Sequence, residues 1–89
     1  MKAIITVTGR DTKGIIAAVS GACAEHGVNI IDISQSVLRE YFAMIMMVDM
    51  SGLTISFSEF VDLMTKMGRE RGLEIHTMHE EIFNSMHRI

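Results

Sequence analysis

Proline and tryptophan are absent from this 89-residue chain, and Cys23 is its single cysteine. One cysteine excludes a disulfide within the chain, so the covalent support typical of small secreted domains is missing. A chain this short buries a modest share of its surface, and its stability then depends on help from a ligand or a second subunit. We expect one domain covering residues 1–89, located in the reducing cytoplasm.

Basic charge is also scarce, since eight Lys and Arg residues stand against eleven Asp and Glu, a net charge of −3. Nucleic acid binding needs a basic face, so no nucleic-acid partner is expected. No apolar run reaches the roughly 18 residues of a membrane span, so no membrane partner is expected either. His76 and His79 are predicted to project to opposite faces of one strand, which makes a poor metal pair. We expect no metal site and no cofactor.

The chain does contain alternating strand and helix patterns. Runs of β-branched and apolar residues predict strands over residues 3–8, 28–38, 41–50 and 73–78. Helical spacing predicts a first helix over about residues 14–26, a second between Ser56 and Gly72, and a short C-terminal helix over 80–88. The order βαββαβ predicts an α+β, ferredoxin-like fold, in which two helices cover one face of a four-stranded antiparallel sheet.

Particular residues mark where the helices begin and end. Ser56 and Glu59 have the spacing of a capping box at the start of the second helix. Gly27 and Gly72 stand where C-terminal cap glycines are common. Residues 9–14 are predicted to form the loop between the first strand and the first helix.

The third predicted strand is apolar on both faces. Alternation puts one set of apolar side chains on one face (Phe42, Met44, Met46, Val48 and Met50) and a second set on the other (Tyr41, Ala43, Ile45 and Met47). The two helices can cover one face only, and a half-solvated antiparallel strand should alternate with polar residues. The C-terminal helix could cover part of the second face, and another chain the rest. The pattern therefore favours a homodimer.

The loop before the first helix is a candidate ligand site. Asp11 or Thr12 can cap that helix, and Gly14 would let another group approach the backbone closely. The first amides of a helix have no intrahelical partners and lie at the positive end of its dipole, which attracts carboxylates and phosphates. An ordinary capped helix start would account for the same residues.

Two motifs at their observed spacing resemble the ACT domain family. The first is Asp11-x-x-Gly14-Ile15-Ile16 after the first strand, and the second is Gly27-Val28-Asn29-Ile30 at the start of the second. The resemblance covers the whole chain in element order. The chain is similar to the small stand-alone ACT proteins of bacteria and, more distantly, to the repressors of glycine cleavage. Lys13 departs from the family pattern, because a proline often precedes the glycine there.

The resemblance implies a ligand site shared by two subunits. The loop of one subunit would contribute Arg10, Asp11, Thr12, Lys13, Gly14 and Ile15, and the second strand of the other would contribute Asn29, Ile30 and Ile31. An amino acid or small carboxylate is the implied ligand. Arg10 and the helix amides would hold its carboxylate, while Asp11 or Asn29 would accept from its ammonium group.

The implied function is that of a non-catalytic regulatory module which acts on a partner protein in trans. No Ser-His-Asp set, carboxylate pair or metal cluster can be found in the sequence, so we expect no enzyme activity. The enzyme alternative is an acylphosphatase-like hydrolase that uses Arg10, because that family shares the topology and has an arginine in the loop after its first strand.

Overall fold

The computed structural model describes residues 1–10 and 13–86. In chain order the elements are β1 (Lys2–Arg10), α1 (Ile15–Glu25), β2 (Asn29–Leu38), β3 (Tyr41–Asp49), α2 (Phe57–Glu70), β4 (Leu73–His79) and α3 (Glu80–Met86). This confirms the predicted ferredoxin-like order. Within the described residues no helix is long and apolar enough to cross a membrane.

The four strands form one antiparallel sheet in the order β2-β3-β1-β4. At one end of the sheet Lys2 pairs with Asp49, and at the other Arg10 pairs with Tyr41. The register of β2 against β3 shifts between Ile30 and Asp32, which leaves Ile31 in a bulge. Strand β2 is therefore an edge strand with a local irregularity near its start.

The core lies between the sheet and the helices α1 and α2. Strand β3 contributes Phe42, Met44, Met46 and Val48, each at most 6% exposed. Apolar side chains of the helices are buried against them: Ile15, Val19, Ala22 and Cys23 from α1, and Phe60 and Met64 from α2. Burial of these apolar side chains, at roughly 25 cal/mol per Å² removed from water, is the main stabilising contribution.

The helix ends follow the predicted signals. Ser56 accepts a hydrogen bond from the amide of Glu59 through its Oγ (3.1 Å), and the Glu59 carboxylate accepts from the amide of Ser56 (3.4 Å). This confirms the capping box. Gly27 follows the last turn of α1 with a φ of 75°, which is the left-handed conformation of a C-terminal cap glycine.

We call the sheet surface away from α1 and α2 the open face. Ile45 and Tyr41 on this face are 45% and 54% exposed. Ile4 is only 3% exposed, although alternation puts it on the open face, between Met47 of β3 and Met78 of β4. Helix α3 contacts β1 and β4 and accounts for this burial. It covers one corner of the open face and leaves the middle of β3 uncovered.

The predicted loop over residues 9–14 was too long at its start. Gly9 and Arg10 belong to β1, where they pair with Phe42 and Tyr41. Gly9 also pairs with Leu73, and a Cβ added there would lie 2.7 Å from Leu73 Cδ2. The absence of a side chain at Gly9 therefore allows the start of β4 to approach β1 closely.

Candidate functional site

Helix α1 begins directly after the end of β1. Its N-cap residue is Gly14, whose carbonyl accepts a hydrogen bond from the amide of Ala18 (2.9 Å). The amides of Ile15, Ile16 and Ala17 have no partner within the helix, because a helix leaves its first amides unpaired. They lie at the positive end of the helix dipole, which favours an anion.

Gly14 also meets a backbone requirement that the sequence did not reveal. Its φ of 82° and ψ of 10° lie in the left-handed region, which residues other than glycine adopt at a cost in free energy. A Cβ added at this position would have no described atom within 4 Å. The glycine therefore permits the backbone conformation that starts α1, and no described residue packs closely enough to require it.

The remaining predicted site residues near the start of α1 differ in their exposure. Asp11 and Thr12, the predicted capping residues, lie outside the described residues. Lys13 is exposed. Ile15 is only 3% exposed and belongs to the core, so it can offer a ligand its backbone amide but not its side chain. Arg10 is exposed at the last position of β1.

The second group of candidate residues lies at the start of β2. Asn29 is exposed, Ile30 packs partly against the core, and Ile31 in the bulge is 46% exposed. Asn29 pairs with Asp49 of β3. Hydrogen bonds from the hydroxyl (2.7 Å) and the amide (2.9 Å) of Ser51 lower the pKa of Asp49, so a stable carboxylate lies next to Asn29.

Within one protomer the two groups lie at opposite ends of the sheet. Arg10 pairs with Tyr41 at the first position of β3, whereas Asn29 pairs with Asp49 at the last. Eight residues of strand separate these positions, or roughly 27 Å at about 3.4 Å per residue. A ligand of amino-acid size cannot contact both groups in a single protomer.

Strand β2 has a free edge, and it carries exposed apolar side chains on the face of the sheet that the helices cover. Ile33 and Val37 are 38% and 56% exposed, and they pair with the buried residues Met46 and Phe42. Ile16 of α1 is also exposed. Val37 and Ile16 were not among the predicted site residues, although the alternation of Ile33 and Val37 with serines was a usable signal.

Possible metal ligands and the single cysteine are the remaining candidate reactive groups. Among residues 1–10 and 13–86, no group of three or more His, Cys, Asp or Glu side chains could hold a metal ion. Burial raises the pKa of Cys23 to about 11, so its thiol is protonated at neutral pH and is a poor nucleophile.

Sequence comparison identifies the family. The family model for the ACT domain matches residues 2–77. A UPF0237 protein of Clostridium acetobutylicum is 48% identical over 89 residues, which cover 100% of both chains. A UPF0237 protein of Methanopyrus kandleri is 43% identical over 88 residues, which cover 99% of this chain and 98% of that one.

Comparison with solved structures agrees. An ACT domain protein from Streptococcus pneumoniae is 44% identical, has a TM-score of 0.80 and is matched over 93% of each chain. A protein described as a candidate transcriptional repressor of the glycine cleavage system is 24% identical, with a TM-score of 0.69 over 85% of this chain and 43% of that one. This second likeness shows the fold alone. Neither comparison supports the acylphosphatase alternative.

Proposed function

The chain belongs to the ACT domain family, and we propose that it is a non-catalytic regulatory module that binds an amino acid or small carboxylate between two copies of itself. ACT domains are regulatory modules that bind small ligands, and they commonly pair. The proposal adds a ligand class, an interface and a mode of action for this chain.

The observation that carries the proposal is the separation of the two candidate groups. A two-fold axis at the free edge of β2 would pair this strand antiparallel with the same strand of a second copy. One copy is then inverted relative to the other, so the Asn29 end of the partner's strand meets the Gly14 end of the first protomer. Two such sites form in a symmetric dimer.

The exposed side chains of the β2 edge support this interface. An edge strand presents unpaired backbone groups, and soluble proteins protect such edges. Ile31, Ile33 and Val37 add apolar surface that water covers in a single protomer. Pairing two edges would satisfy the backbone groups and bury these side chains together.

The chemistry of the proposed site suits a zwitterion. At one end the amides of Ile15 and Ile16 and the guanidinium of Arg10 would hold a carboxylate. At the other end the side-chain oxygen of Asn29 would accept a hydrogen bond from an ammonium group, and the Asp49 carboxylate lies next to it. The ligand would link two subunits, and its signal would reach a regulated protein in trans.

A ligand screen by thermal shift tests the binding proposal. Amino acids and small carboxylates are added to the protein, and a ligand that binds only the folded state raises the melting temperature. Gly14→Val should remove binding in isothermal titration calorimetry while the protein remains folded. Gly14→Asn is the matched control for the backbone, since asparagine tolerates the left-handed conformation. If Gly14→Val binds a ligand as tightly as the wild type, the site is elsewhere.

A matched pair of lysine variants tests the interface. Ile33 and Ile45 are exposed apolar strand residues on opposite faces of the sheet. Ile33→Lys should reduce the mass measured by light scattering from that of a dimer to that of one 9.9-kDa chain and should also remove ligand binding. Ile45→Lys should do neither. A wild-type protein that stays monomeric at micromolar concentration would contradict the proposal.

A further inference from the structure

A groove runs between α1 and α2, on the side of the molecule away from the open face. Its volume is about 960 Å³. The α1 wall consists of small residues, and the α2 wall includes two larger apolar side chains that are partly buried: Ala17, Ala18, Gly21 and Ala22 on the first, Leu63 and Met67 on the second. The residues proposed to bind the small ligand do not line it.

Gly21 is unexplained by the protomer itself. It lies inside α1, where glycine costs about 1 kcal/mol relative to alanine. Its φ is not positive, and a Cβ added there would have no described atom within 4 Å. Neither backbone conformation nor internal packing therefore requires a glycine. Close approach by a group outside the protomer would require one.

The rim of the groove is acidic. Exposed carboxylates outnumber exposed cations by four to two among the lining residues: Glu25, Glu59, Asp62 and Glu70 against Lys66 and Arg71. An occupant with basic groups along its flanks would be electrostatically complementary. An acidic occupant would bring like charges together.

The walls favour a helical occupant. Both walls are α-helices, whose backbone amides and carbonyls are already paired within each helix. An extended peptide would bury its own backbone groups without partners, whereas a helix satisfies them internally. The α1 wall from Ala17 to Glu25 is about 12 Å long and the α2 wall from Glu59 to Arg71 about 18 Å, which matches two to three helical turns.

We propose that this groove docks a short amphipathic helix with basic flanks, which belongs to the protein regulated in trans. The inference rests on the trans action in the proposed function and names the surface that would perform it. Helix α1 follows its N-cap Gly14, in the proposed ligand site, and continues into the groove wall at Ala17 and Gly21. A ligand at the start of α1 and a partner along its side would contact the same rigid element.

Designed peptides test the groove directly. The probe is a 14-residue fluorescent amphipathic helix, about four turns with leucines on one face and lysines on both flanks. A second peptide replaces every lysine by glutamate, and a third scrambles the order. Fluorescence anisotropy should show binding of the first peptide only, and higher salt should weaken it. NMR shift changes should concentrate on α1 and α2.

Two leucine variants provide the matched comparison. Gly21→Leu fills the groove at a position where the protomer has free space, and it improves helix propensity. Ala24→Leu places the same side chain at an exposed position of α1 that does not line the groove. Gly21→Leu should lower the affinity for the basic peptide about tenfold or more, and Ala24→Leu should leave that affinity unchanged.

The outcomes separate this inference from the proposed function. If the basic peptide fails to bind, binds as well as the glutamate peptide, or shifts signals of the open face, the groove is not the docking surface. In that case the small-ligand binding of the wild type and its loss in Gly14→Val still support the proposed function. Conversely, peptide binding that Gly21→Leu removes would support the groove even if no small ligand is found.

Discussion

Two helix glycines should respond in opposite directions to the same substitution. Gly68 in α2 lies against β4, and an added Cβ would be 2.8 Å from Ile75 Cγ1 and 2.9 Å from the carbonyl oxygen of Leu73. Gly21 in α1 has no described atom within 4 Å of such a Cβ. Alanine at each position raises helix propensity equally, so the difference between the variants measures packing alone.

The magnitudes follow from these distances. Gly21→Ala should stabilise the fold by about 0.5–1 kcal/mol, which raises the melting temperature by roughly 2–8 °C for a domain of this size. At Gly68 the same gain is outweighed, because contacts below 3 Å with backbone and side chain force α2 away from β4. Overpacking costs about 1–3 kcal/mol, so after the gain in helix propensity we expect a net loss of up to about 2.5 kcal/mol.

Thermal unfolding followed by circular dichroism at 222 nm measures both shifts, and urea titration checks them near room temperature. Ligand-free protein at one fixed concentration is needed, since binding or dimerisation would move the melting temperature by mass action. If Gly68→Ala is as stable as Gly21→Ala, the close packing of α2 on β4 is refuted. If Gly21→Ala is destabilising, α1 has a neighbour at that position in the free protein.

Three further predictions concern the helix starts and the buried thiol. Ser56→Ala should cost about 0.5–2 kcal/mol in urea unfolding, because the Glu59 amide loses its cap, while Glu59→Gln should keep most of the capping box. Gly14→Asn should be more stable than Gly14→Val in the same assay, since asparagine tolerates the left-handed conformation; equal stabilities would contradict the assigned φ. Burial raises the pKa of Cys23 from 9.0 to about 11, so as the pH rises the thiol loses its proton in the unfolded chain first. The free energy of unfolding should therefore decrease as the pH rises from 9.0 to about 11. Cys23→Ala should flatten this pH dependence, and no difference between the two proteins would refute a buried neutral thiol.

The element order was predictable because local signals and tertiary structure agree. Ser56 and Glu59 form both hydrogen bonds that their spacing predicts, and Gly27 has the left-handed conformation of a cap. The buried residues of α1 recur at helical spacing, so the apolar stripe identified both the helix and its buried face. Each of these features is encoded within a few residues of the chain.

The end of β1 was not predictable in the same way. Gly9 and Arg10 have the composition of a loop, and local propensity predicts one. They continue the strand because β3 provides Phe42 and Tyr41 as partners, and β4 provides Leu73 beside Gly9. Such pairing depends on residues more than 30 positions away, as the register shows. Tertiary context therefore decided this boundary.

The sequence suggested which residues to consider for the candidate site, but it did not show how they are arranged. The motif around Gly14 is visible in the sequence, yet a glycine that permits a left-handed φ and one that permits close packing look identical there. Likewise, the positions of Arg10 and Asn29 in the chain do not reveal that the two residues pair with opposite ends of β3. Only the strand register shows that one small ligand cannot contact both groups within a single protomer.

The apolar open face and the β2 edge are separate surfaces, so an apolar open face does not by itself predict a dimer at β2. The two-sided apolar pattern of β3 predicted a second chain over the open face. Edge pairing at β2 would instead extend the sheet to eight strands, and each open face would remain as it was. Helix α3 already shields Ile4 at one corner, while Ile45 stays 45% exposed at the centre. The case for a dimer at β2 therefore depends on its own unpaired backbone groups, its exposed side chains and the divided site.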